Sequence, residues 1–103
     1  MQQAVRDILA LTSVLSDDLD FSIIEQAVPI LDRLAVPIEG DDVEALLSPL
    51  PANGDTVYGL SWTILHAIES STEWPRWDLL VDTGNEWTRV LKLRLKNGGY
   101  EQP

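Results

Sequence analysis

Apolar residues recur at helical spacing through most of this 103-residue chain. Val5, Ile8, Leu9, Thr12 and Leu15 share one face, which predicts a helix over about residues 2–16. The SDDLD stretch that follows reads as a turn. Ser22 with Glu25 three residues later has the form of a capping box and opens a second helix. Ile24, Ala27, Val28, Leu31 and Leu34 line its inward face, and Pro29 must kink that helix or start a new one. Pro37 and Gly40 then mark a break. Asp41 or Asp42 caps a short third helix carrying Val43, Leu46, Leu47 and Leu50, where an acidic first turn suits the helix dipole.

The stretch SPLPANGDT, residues 48–56, is the clearest loop, with two prolines and an Asn-Gly. A fourth helix is expected from Asp55 or Thr56. Val57, Leu60, Ser61, Ile64 and Ile68 fall on one arc, and Tyr58, Trp62 and Leu65 widen it. So wide an apolar face predicts a central helix, with His66 toward its polar side. Pro75 suits the first position of a fifth helix whose Trp77, Leu80 and Val81 would face inward. In the last segment, EWTRVLKLRLKNGG, Leu91, Leu93 and Leu95 alternate with Lys92, Arg94 and Lys96 as in a strand. Leucine, lysine and arginine nevertheless favour helix, no partner strand is evident, and basic residues before Asn97-Gly98 match a helix end. Helix is the better reading. The expected fold is therefore all-α: one domain over residues 1–103, with five or six short helices packed as successive hairpins.

Composition supports a folded domain. A chain of this size buries roughly 65% of its unfolded surface, and 45% apolar content argues against disorder. There is no cysteine, which excludes disulfides and thiolate metal sites and fits a cytoplasmic protein. The first 18 residues lack a basic segment ahead of their apolar positions, and no run of about 18 apolar residues occurs. The charge changes the picture more. The formal net charge is −10, with 17 acidic and 7 basic side chains, and four of those bases lie in residues 89–96. Residues 1–88 hold 16 acids against Arg6, Arg33 and Arg76. Such a field repels nucleic acid and anionic membrane, and it either steers toward a basic partner or is a solvated acidic surface that maintains solubility.

Candidate chemistry is sparse. His66 could form a relay with Ser61 or Ser70 and Glu69, yet neither serine lies in a nucleophile-elbow pattern. The acidic clusters DDLD (17–20) and EGDD (39–42) do not continue into a calcium loop. No catalytic residue, metal site or cofactor is expected. Trp62 and Trp87 lie beside apolar arcs and read as core. Trp74 and Trp77 bracket Pro75 at a turn, where they serve either as a hydrophobic staple or as an aromatic anchor ringed by Glu69, Glu73 and Asp78.

The stretch NGDTVYGLSWTILHAIESSTEWPRWDLL, residues 53–80, resembles the central segment of small acidic helical immunity proteins of bacterial polymorphic-toxin and contact-dependent inhibition systems. Tyr58-Gly59-Leu60, Trp62, Leu65-His66, Ile68-Glu69 and Trp74-Pro75 carry the likeness. The resemblance implies a cytoplasmic, non-enzymatic inhibitor, monomeric when free, that binds a cognate toxin domain and masks a basic nuclease site. The surface expected to make contact comprises Asp41, Asp42, Glu69, Glu73, Trp74, Trp77 and Asp78. The alternative is a helical adaptor that holds its partner in an aromatic, apolar groove.

Overall fold

The structure, a computed structural model, describes residues 1–102. Its five helices are α1 (Gln3–Leu11), α2 (Phe21–Asp32), α3 (Gly40–Leu47), α4 (Leu60–Glu69) and α5 (Glu86–Asn97), with a 3₁₀ turn at Trp77–Leu79. No strand occurs among the described residues. α1 lies against α2 and α3, and α4 lies against the same two helices. The first four helices therefore close a ring of two successive hairpins. Val5 and Ile8, Ile24 and Leu31, Val43 and Leu46, and Ile64, Leu65 and Ile68 meet inside it. The expected all-α fold is the one found.

α5 joins this ring through Trp87, Leu91 and Leu95, all buried. Its start is fixed by Asn85, whose side-chain oxygen accepts from the N–H groups of Trp87 (2.9 Å) and Thr88 (3.2 Å). The Trp87 indole donates to the Asp55 carbonyl at 3.1 Å and meets Trp62 edge-on, with ring centres 5.0 Å apart. Leu93, on the opposite side of the helix, is exposed, so the leucine alternation is helical and not strand-like.

Several element boundaries differ from the sequence reading. α1 stops at Leu11 because Thr12 turns extended; Leu15 still enters the core from the loop, its N–H donating to Pro49 at 2.8 Å. The expected Ser22–Glu25 box does not form. α2 starts two residues earlier, with Asp20 in the N-cap position, and the Asp20 carbonyl accepts from Ile23 and Ile24. Pro29 sits inside α2 without ending it, on an exposed side where the Glu25 carbonyl it leaves unmatched can face water. Val28 is exposed beside it instead of buried.

α4 begins at Leu60, later than expected, because Val57, Tyr58 and Gly59 are successively left-handed. Val57 is fully buried there, and its N–H is held by Asp17 at 2.9 Å. The fifth helix expected from Pro75 is only the 3₁₀ turn. That turn stacks positions three apart, which carries Leu80 into the core beside Trp77 and swings Val81 out to 75% exposure. A helix there would have had little room before Thr83-Gly84, too short to nucleate readily.

Candidate protein-binding surface

The α3 N-terminus and the turn after α4 are joined by one contact. The Glu73 carboxylate accepts from the Gly40 N–H at 2.5 Å, and Gly40 is buried beneath it. No side chain local to α3 caps that helix. Glu73 therefore supplies, from 33 residues away, the acceptor and negative charge that a helix start favours. Asp41 and Asp42, expected as caps, lie in the first turn instead.

The residues expected to bind a partner divide by place. Asp41 is exposed and paired with the Met1 amino group at 3.1 Å, and the hydrogen bond from that amine holds its carboxyl below the ordinary 3.8. Asp42 is buried, and its Oδ1 has no hydrogen-bond partner among the described residues. Asp78 takes two bonds from Arg76, at 3.0 and 2.8 Å, which lower its pKa and raise that of the arginine. Glu44 and Glu73 act on the same guanidinium through their charge. Asp41, Asp42, Glu73 and Asp78 thus gather around the start of α3 and the Trp74–Asp78 turn.

Glu69 stands apart from this group. Arg94 of α5 grips it with two bonds of 2.8 Å, which raise the arginine's pKa, and the same guanidinium lies 6.0 Å over the Trp62 ring. Trp62, expected in the core, is 38% exposed along that side. Trp74 and Trp77 are half-buried and pack against the core, and the helix whose entry they would staple is only a 3₁₀ turn. Trp77 also borders a cleft of about 670 Å³ with Lys92, Leu93, Lys96 and Tyr100.

His66 is exposed and stands 6.2 Å from Trp62. Ser61 donates to the Asp55 carbonyl at 2.8 Å and Ser70 to the Ala67 carbonyl at 2.5 Å, so neither hydroxyl is aimed at the histidine. No three His, Asp or Glu side chains converge on a metal position among the described residues. No described helix is long and apolar enough to cross a membrane. Compared with protein-family models, curated proteins and solved structures, the chain matches none of them.

One surface escapes the sequence reading. Phe21 and Val28 stand 64% and 43% exposed on α2, with Glu25 and Asp32 at intervals of three and four along the same stripe. Asp18 and Asp20 lead into it, and all four acids are exposed. The signal was available: Phe21 and Val28 are seven apart and a poor fit to the Ile24, Ala27, Leu31 face. Apolar character alone makes Val28 look like a member of that face.

Proposed function

We propose that the chain is a binding protein that neutralises a basic protein domain, in the manner of an immunity protein that masks a toxin's nuclease site. One observation carries this reading. Only five of the 17 acidic side chains take part in ion pairs, leaving twelve outside any direct pair among the described residues. A surface with so large a surplus attracts a basic partner over a Debye length and orients the encounter. The α2 stripe adds an aromatic anchor, Phe21, between carboxylates that would meet lysine or arginine. Asp41 and Asp78 already have intramolecular partners, and Glu73 holds a helix end, so α2 is the better place to seek the contact.

The test is co-expression with small basic nuclease domains, screened for one whose toxicity the wild-type chain relieves. Wild-type protein should protect growth, and a variant carrying Asp18→Asn, Asp20→Asn, Glu25→Gln and Asp32→Asn should protect poorly while keeping its helical circular dichroism. Full protection by that variant would remove the α2 surface from the account. The adaptor reading is favoured by the cleft between Trp77, Leu93 and Tyr100, whose apolar floor would bind a partner independently of salt.

A further inference from the structure

Asp42 is 2% exposed, and its Oδ1 has no hydrogen-bond partner among the described residues. A buried carboxylate oxygen in that state forfeits water without replacement, and only a hydrogen-bond donor restores the loss. Asp42 lines a cleft of about 360 Å³ between the start of α1, the 35–39 segment and the start of α3. The one cationic group on its wall, the Met1 amine, is held by Asp41 instead. Glu39, exposed, adds a second carboxylate to the wall. The Ala35 carbonyl accepts from Gln2 Nε2 at 3.1 Å and keeps a second lone pair.

We propose that this cleft receives the guanidinium group of an arginine on the partner protein, with Asp42 and Glu39 as its acceptors. The inference rests on the reading that the partner is basic, and it adds to the α2 stripe a second contact, at the start of α3. The chemistry favours guanidinium over the other cations. A metal ion would need a convergent donor set, which the described residues do not form. An ammonium is a compact, strongly hydrated charge, whereas guanidinium is weakly hydrated and presents five donors in a fixed plane. Separate acceptors on Asp42, Glu39 and Ala35 suit such a fork. Pro37 supplies apolar surface for the arginine stem.

The full chain, ¹⁵N-labelled, should be titrated with N-methylguanidinium chloride and separately with tetramethylammonium chloride at matched ionic strength. The second cation has the charge and no donors. Saturable amide shifts are expected at Gly40–Val43 and the Gln2 side chain with N-methylguanidinium alone. Asp42→Asn should weaken binding at least about tenfold, as expected for loss of a charge-assisted hydrogen bond. Glu44→Gln, an exposed acid on the same helix, should leave it unchanged. Equal responses to the two cations, or unaltered binding by Asp42→Asn, would overturn the assignment.

If Asp42→Asn fails to fold, Glu39→Gln decides, since its side chain is exposed: a clear loss supports the cleft and unchanged affinity rejects it. Trp74 Nε1 is also buried without a partner. If Asp42→Asn moved the Trp74 indole resonance while N-methylguanidinium bound nowhere, Asp42 would be an internal acceptor and the proposal would fall. Failure here is separable from failure of the functional reading. Cation binding without protection from the basic domain would remove the partner and keep the cleft; protection without cation binding would do the reverse.

Discussion

Replacing Gly40 by alanine should destabilise the native chain and stabilise the chain that lacks Glu73. A Cβ built on Gly40 would lie 2.6 Å from the Glu73 carboxyl carbon and both of its oxygens, with no other group among its nearest neighbours. The backbone itself does not require glycine, since Gly40 is not among the positive-φ residues. Glu73 is long and ends there, so it can swing aside, but doing so breaks its bond to the Gly40 N–H. Loss of a helix cap costs about 1 kcal/mol, and the carboxylate's interaction with the helix dipole adds about 0.3–1 kcal/mol. Alanine in place of glycine returns about 0.4–1 kcal/mol where the conformation is compatible. The net effect of Gly40→Ala alone is then a loss of about 0.3–1.6 kcal/mol, against a gain of about 0.4–1 kcal/mol once Glu73→Ala has emptied the space. Urea unfolding of the four members of this cycle, followed by far-ultraviolet circular dichroism, measures the coupling, expected at about 1–2 kcal/mol. Glu73→Gln should lie between, keeping an acceptor without the charge. If Gly40→Ala had the same sign and size in both backgrounds, Glu73 would not be capping α3. The result also matters for function, because charge reversal at Glu73 perturbs the fold as well as the surface.

Asn85→Ala removes two hydrogen bonds from the start of α5 and should cost about 1 kcal/mol, lowering Tm by about 4–8 °C in calorimetry. Asp7 is held below its ordinary 3.8 first by the hydrogen bond from Gln3 and then by Arg33. A depressed carboxylate contributes stability that is present above 3.8 and lost as pH falls below it, through the folded value. Arg33→Ala should therefore bring the Asp7 titration, followed by carboxyl-carbon NMR, back toward 3.8; an unmoved midpoint would reject the pair. Because the surplus of acids outweighs five surface pairs of small individual worth, raising NaCl from 10 to 150 mM should increase Tm. A fall in Tm would mean that the ion pairs dominate.

Periodicity revealed the helices whose core faces are continuous, because burial itself imposes the period. Val5 and Ile8, Val43 and Leu46, Ile64 and Ile68, and Leu91 and Leu95 all pack as their spacing implies. It misled where apolar residues enter the core from irregular backbone. Leu15, Val57 and Leu80 are all essentially buried outside any helix, held by a loop contact to Pro49, by Asp17, and by a single 3₁₀ turn. Such residues look helical in sequence because hydrophobicity does not record how the chain reaches the core. The surface was less legible still. Charge counting identified the acidic surplus, but whether an acid is committed inside the molecule depends on contacts 25 or more residues away, as for Glu69 with Arg94 and Glu73 with Gly40. Exposed Phe21 and buried Asp42 each reverse the ordinary preference of the residue type, which composition cannot show.

The central claim is that uncompensated acids on this chain draw and hold a basic protein. Its most direct measurement is the association rate with a basic domain that the chain neutralises, by stopped flow, from 50 to 500 mM NaCl. The account predicts a rate that falls at least about tenfold over that range, with the fall much reduced in the variant neutralised at Asp18, Asp20, Glu25 and Asp32. A rate that is flat with salt in both proteins, despite tight binding, would contradict it.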